Sequence, residues 1–205
     1  MKLFKSATIV LCLAGFAVAN AATIDLGTAD YSSVDGKNFQ SVWNTTAPVS
    51  KTITNLSEFT NVDTGNNNIS HLDIDFFAGA NRTIDFRFGL DGGFGVDIYF
   101  GNTQVVDRSD DIWWNTKWSN GDVLYTGSQS LLAGTNYSVD VYWAENSNSG
   151  NQSAQFTLDG GQTWQALSNQ NLSAVSAVPE ASTYAMMLGG LAMIGGVVAR
   201  RKKQQ

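Results

Sequence analysis

A short segment in the middle of the chain, DRSDDIWWNTKW, combines carboxylates and tryptophans in a pattern that suits ligand binding. Flat indole rings stack on the apolar faces of sugar rings, and carboxylates accept hydrogen bonds from hydroxyls or coordinate Ca²⁺. Because Trp is buried on average, the alternative is that these rings pack in a core while the aspartates cap turns. The candidate binding residues of this segment are Asp107, Asp110, Asp111, Trp113, Trp114 and Trp118.

A second acidic segment, SHLDIDF, places His71, Asp73 and Asp75 on one face of a predicted strand, since side chains repeat every second residue. An imidazole and two carboxylates could bind a metal ion. Neighbouring residues on one strand face lie about 6.5–7 Å apart, so all three would reach one ion only across a kink. We therefore interpret the segment as the polar side of an amphipathic strand and predict no metal site.

The chain contains few residues of the types and in the motifs that catalysis commonly uses. The chain has one histidine, and its single cysteine lies near the N-terminus, with no G-x-S-x-G motif to mark a nucleophile. Two carboxylates could hydrolyse a glycoside, but no spacing selects such a pair. We predict no enzymatic activity, no catalytic residues and no cofactor. Ca²⁺ is a possible ligand of the acidic loop, and a polysaccharide hydrolase is a minor alternative.

The elements that position these residues are predicted to be strands. In RTIDFRFGL, apolar and polar residues alternate, and FGVDIYF and YSVDVYWAE show the same period of two. The turn residues DGG separate the first two segments, GN follows the second, and QFTLDGGQTWQAL predicts a hairpin. With only two prolines and no sustained helical periodicity in the body, the sequence predicts an all-β fold, a single β-sandwich of about eight to ten strands.

The N-terminus has the three parts of a secretory leader. Lys2 and Lys5 precede an apolar run over residues 7–18, and Ala19-Asn20-Ala21 fits the small-residue rule of signal peptidase. We predict a signal peptide over residues 1–21, with the Sec machinery and signal peptidase as partners. The only cysteine, Cys12, lies inside this run, so the mature chain would contain no disulfide.

The C-terminus combines a helix start, a short apolar span and a basic cluster. Ser182 and Thr183 are good N-cap residues, and a transmembrane helix is predicted at about residues 184–199. The 15 uncharged residues 185–199 give about 23 Å, short of the ~30 Å hydrocarbon core. The stop-transfer residues that follow are Arg200, Arg201, Lys202 and Lys203.

This order of parts resembles the PEP-CTERM sorting signal of Gram-negative bacteria that make exopolysaccharide. The resemblance covers residues 178–203 and implies an exosortase as the processing partner, with removal of the tail during export. Ala181 stands where the family usually has its second proline, and a permanent C-terminal anchor is the rival interpretation. The residues of the sorting motif are Val178, Pro179, Glu180, Ala181 and Ser182.

The exported body is strongly acidic. Residues 22–178 contain 17 acidic and 6 basic residues, a net charge of −11, against −6 for the whole chain. That charge repels nucleic acid and anionic lipid, and it suits solubility, divalent cations or a neutral partner such as exopolysaccharide. The precursor would pass through the inner membrane, and the mature protein would reach the cell surface or extracellular matrix.

The run over residues 82–158 resembles the PA14-like and fibro-slime sandwiches of bacterial surface proteins. Carbohydrate-binding members hold calcium with paired aspartates before a glycine, whereas Leu90-Asp91-Gly92 here lacks the pair, which weakens the calcium inference. The sequence thus predicts one jelly-roll or PA14-like domain over residues 22–177 and a sorting signal over 178–205. The expected role is structural or adhesive at the surface or in a biofilm, and the alternative is a lectin-like module using residues 107–118.

Overall fold

The computed structural model describes residues 21–30, 34, 38–46, 52–147 and 150–177. These residues form fourteen strands and two short helices. The strands are β1 Thr23–Asp30, β2 Thr52–Asn55, β3 Val62–Asp63, β4 Asn68–Ala78, β5 Arg82–Gly89, β6 Asp91–Gly92, β7 Val96–Phe100, β8 Thr103–Arg108, β9 Ile112–Trp113, β10 Leu124–Tyr125, β11 Gln129–Leu131, β12 Thr135–Glu145, β13 Asn151–Thr157 and β14 Gln165–Ala166, and the helices are α1 Phe39–Thr46 and α2 Asn169–Ser176.

One antiparallel sheet has the order β2-β1-β4-β12-β7-β8. Its centre is the pair β4 and β12, which remain in register over all eleven residues of each strand. The second sheet has the order β10-β5-β13-β14, with β11 also paired to β5 and β3 to β13. A separate ribbon of β6 and β9 forms a third, two-stranded sheet.

The core lies between the two six-stranded sheets. Alternate residues of β4 and β12 face alternate residues of β5 and β13, and all of these side chains are almost fully buried. The fully buried aromatic side chains are Phe59, Phe86, Phe88, Trp143 and Phe156. The predicted β-sandwich is therefore confirmed.

A second hydrophobic cluster covers part of the outer face of the first sheet, where α1 packs. The Asp97 carboxylate, 3% exposed, accepts a hydrogen bond from the backbone N–H of Phe39 at 2.8 Å and so fixes the start of the helix. The Trp43 ring lies against Gly27, where a Cβ would come within 2.6 Å of it. Neither α1 nor α2 was predicted from sequence, because each is only eight residues long and carries little periodic signal.

Two of the predicted turns form as expected, and one does not. Gly101, at φ +56°, lies in the turn of the β7–β8 hairpin, and the β13–β14 hairpin forms around Gly160 and Gly161 as expected. The DGG segment does not close a hairpin, because β5 and β7 belong to different sheets. The fourteen strands also exceed the predicted eight to ten, since five of the strands in the described residues have only two residues.

Residues 1–20 of the predicted leader, the sorting motif and the predicted transmembrane helix lie outside the described residues. Within the described ranges, no helix is long and apolar enough to cross a membrane.

Candidate functional site

A cleft of about 370 Å³ opens where β6, β9 and the end of β12 meet. The pairing of Asp91 with Trp113 in the β6–β9 ribbon brings the Asp91-Gly92-Gly93 segment beside the tryptophan-rich segment over residues 107–118. The lining residues are Asp91, Gly93, Asp111, Trp113, Glu145, Asn146 and Ser147.

Two of the carboxylates in the cleft are almost completely buried. Glu145 is 1% exposed, and its carboxylate accepts hydrogen bonds from the N–H groups of Gly93 at 3.1 Å and Ser147 at 2.8 Å. Asp91 is 8% exposed, and burial, followed by the nearby charge of Glu145, raises its pKa to about 6. Its carboxylate also accepts a hydrogen bond from Gly150, where a Cβ would lie 2.6 Å from the Asp91 oxygen.

The two adjacent tryptophans have opposite environments. The side chain of Trp113 is 60% exposed at the edge of the cleft, whereas Trp114 is 3% exposed. Trp114 lies over Gly89, where a Cβ would come within 2.2 Å of the indole, and its ring contacts that of Trp118 at 4.7 Å. The side-chain amide of Asn120 donates to the carbonyl groups of both Trp113 and Trp114, which fixes this backbone.

Trp118 belongs to an aromatic cluster on the outer face of the second sheet. The guanidinium of Arg87 lies 4.4 Å from the ring of Trp118 and 4.3 Å from that of Trp164. Its Nε also donates to Gln155 at 2.8 Å. The ring of Trp118 is thus engaged by protein groups and is not part of the cleft lining.

The six residues predicted from the acidic, tryptophan-rich segment are therefore distributed over several places. Asp111 and Trp113 line the cleft, and Asp110 forms an ion pair with Arg108. Asp107 is exposed on β8, opposite Asp97. The cleft residues that were not selected are Asp91, Glu145, Asn146 and Ser147, although the acidic end of the long strand was a visible signal for Glu145.

His71, Asp73 and Asp75 do share one face of β4, on the outside of the first sheet. Asp73 stands directly opposite Asp25 of β1 and Asp140 of β12, which makes a cross-strand row of carboxylates. The imidazole Nε2 of His71 donates to the Asp140 carboxylate at 2.8 Å, and its ring stacks on Tyr142. Burial, followed by the charges of Asp75 and Asp140, raises the pKa of Asp73 to about 6.

This row predicts that the protein gains stability on mild acidification. Because the pKa of Asp73 is raised above its unfolded value of 3.8, the folded state takes up its proton first, and the free energy of unfolding rises as pH falls through 6. After allowance for solvent screening we expect a gain of about 1 kcal/mol between pH 7 and 5. Urea denaturation at the two pH values should show this gain, with Asp73→Asn reducing it and the exposed Asp30→Asn leaving it unchanged. Equal gains in both variants would contradict the assignment.

Within the described ranges, no three acidic or histidine side chains are placed as ligands of a single metal ion. In the cleft, the position before Asp91 is Leu90, which is fully buried in the core, so the paired-aspartate arrangement is missing.

Comparison with protein families identifies the C-terminal segment. Residues 177–203 match the PEP-CTERM protein-sorting motif. The chain therefore carries this sorting motif, which implies a protein exported as a membrane-anchored precursor and processed by an exosortase for the cell surface. A comparison with curated proteins found no match.

Solved structures resemble the fold. The PA14 domain of the MpAFP antifreeze protein matches with a TM-score of 0.51 at 9% identity, covering 78% of this chain and 94% of that domain. A PA14 sugar-binding domain from an RTX adhesin matches with a TM-score of 0.51 at 10% identity, covering 74% of this chain and 97% of that domain. The sandwich therefore has the PA14-like fold that the sequence predicted.

Proposed function

We propose that this chain is a surface protein that binds carbohydrate in the cleft beside Trp113, in an adhesive or matrix-associated role. The observation that carries the proposal is a 60% exposed indole at the edge of a cleft lined with carboxylates and an amide. Exopolysaccharide is the proposed partner. The predicted route is cleavage of the leader by signal peptidase after Sec export, followed by exosortase processing.

The exposure of Trp113 is the reason to assign it to ligand binding. An indole left in water forgoes the free energy of burying its large apolar area, and its neighbour Trp114 is buried. A sugar ring stacked on Trp113 would cover that surface, while its hydroxyls could donate to the exposed carboxylate of Asp111. The PA14-like fold is compatible with this function, although a fold alone does not determine one.

A polysaccharide hydrolase is less well supported. Glycosidases place their two carboxyl groups at least about 5 Å apart, to leave room for the sugar or a water molecule. That chemistry also needs both groups to reach the substrate, but the side chains of Asp91 and Glu145 are only 8% and 1% exposed and already accept hydrogen bonds from backbone N–H groups. We therefore propose binding without turnover.

Replacing Trp113 with alanine is expected to weaken glycan binding about fivefold or more, because stacking on an aromatic ring contributes on the order of 1 kcal/mol or more. A glycan array would first identify a bound sugar, and titration calorimetry would then compare the wild type with Trp113→Ala. The matched control is Leu132→Ala, which removes another exposed apolar side chain, 63% exposed, that does not line the cleft. Unchanged affinity in Trp113→Ala, or an equal loss in the control, would contradict the proposal.

A further inference from the structure

The geometry of the cleft points to a more specific ligand: we propose that it binds a polysaccharide bearing free primary amines, such as an amino sugar polymer that is not N-acylated. This inference rests on the proposed carbohydrate function and names its ligand class. The observations behind it are the charge of the lining, its hydrogen-bonding capacity and the position of Trp113.

The lining is negative and contains no cation among the described residues. Asp91, Asp111 and Glu145 contribute carboxyl groups, and no Lys, Arg or His lines the cleft. Arg108 lies nearby in the chain, but its guanidinium contacts Asp110 and Asp122, the latter at 3.6 Å. A cationic ligand would therefore meet carboxylates without a competing basic side chain in the lining.

Three of the hydrogen-bond donors in the cleft are used within the protein. The N–H groups of Gly93 and Ser147 both donate to Glu145, and the hydroxyl of Ser147 donates to the Asn146 side chain at 3.3 Å. A neutral sugar hydroxyl both donates and accepts, whereas an ammonium group has three donors and no acceptor. A lining that consists mainly of acceptors thus matches an ammonium group better than a neutral sugar.

Trp113 supports the same ligand class. A cation within about 6 Å of an indole face is attracted by the ring quadrupole, and the apolar face of the sugar can stack on the same ring. The buried Asp91 and Glu145 repel each other when both are ionised, and a bound cation would relieve that repulsion. One amino sugar could therefore contact the ring and the exposed carboxylate of Asp111 together, with Asp91 and Glu145 adding negative charge behind them.

The test compares three short oligosaccharides on the purified protein: a glucosamine oligomer, the corresponding N-acetylglucosamine oligomer and a neutral glucose oligomer. Titration calorimetry at about pH 7, where the amine is mostly protonated and Asp91 is mostly ionised, and with a chelator present, is expected to give at least about tenfold tighter binding of the glucosamine oligomer. Asp111→Asn should remove most of this preference. Asp107→Asn, which neutralises an exposed aspartate outside the cleft, should retain it.

Any other result overturns either the amine assignment alone or carbohydrate binding as well. Equal affinity for the acetylated or neutral oligomers, or binding of those oligomers that requires Ca²⁺, would overturn the amine assignment and leave carbohydrate binding intact. Equal losses in Asp111→Asn and Asp107→Asn would show adhesion of a polycation to an acidic protein, and this also overturns the assignment. No binding of any oligomer, together with a negative glycan array, would overturn both proposals.

Discussion

Trp143→Ala is expected to lower the free energy of unfolding by about 3–5 kcal/mol, the usual cost of removing a large aromatic side chain from a core. The side chain lies on β12 at 0% exposure, and its ring meets that of Phe59 edge-on at 6.3 Å. It also lies beneath the β6–β9 ribbon, where a Cβ on Gly92 would come 3.5 Å from the Cβ of Trp143. The substitution would therefore leave a cavity next to the residues that form the cleft.

Trp143→Phe is the control for this prediction. The indole Nε1 has no hydrogen-bond partner among the described residues, so a phenyl ring would lose volume without breaking a hydrogen bond. We expect a cost of about 1–2 kcal/mol, measured by equilibrium denaturation of both variants. If the phenylalanine variant lost as much stability as the alanine variant, the ring would not be acting mainly by filling space.

Gly95→Ala is the second substitution with a large expected effect, a loss of at least about 3 kcal/mol. Gly95 has φ +110°, a conformation that side chains rarely adopt, and a Cβ there would lie 2.0 Å from the carbonyl oxygen of Arg108. Because the obstacle is backbone, it cannot rotate away, and the start of β7 would have to move from β8. Thermal denaturation and the yield of folded protein would show the effect.

Gly134→Ala separates the effect of a positive φ from the effect of the contact with the Arg108 carbonyl oxygen. Gly134 also has a positive φ, +81°, but a Cβ there would meet nothing within 4 Å. Only the backbone conformation should be penalised, at about 1 kcal/mol. Similar losses in the two variants would mean that the contact with Arg108 does not constrain the turn.

Much of the fold could be predicted because the strands carry their own pattern. In β5 the alternation separates buried from partly exposed side chains as it does in the sequence, whereas in β7 and the second half of β12 both faces are buried, because the second hydrophobic cluster around α1 covers the outer face. Strand pairing was harder to predict, since β5 pairs with β10, β11 and β13, which follow it only after long intervening segments. The Asp-Gly-Gly turn after β5 suggested a local partner, but the chain crosses there to the other sheet.

The candidate site likewise combines residues that the local sequence indicated with residues that only the tertiary fold brings together. Composition alone selected Asp111 and Trp113, but it could not distinguish Trp113 from its buried neighbour Trp114, whose position depends on the absence of a side chain at Gly89. Asp91 and Glu145 are far apart in sequence. They meet only because β6 lies against the end of β12, which requires the completed sandwich.

The central claim, that a sugar binds against Trp113, can be tested through the indole N–H resonances of the protein, which has six tryptophans. The measurement is a ¹H–¹⁵N spectrum during titration with the glycan selected by the array, with the Trp113 signal assigned from Trp113→Phe. Sugar binding against Trp113 should shift the Trp113 signal progressively to saturation and leave that of the buried Trp143 in place. A Trp113 signal that does not move at saturating glycan would contradict it.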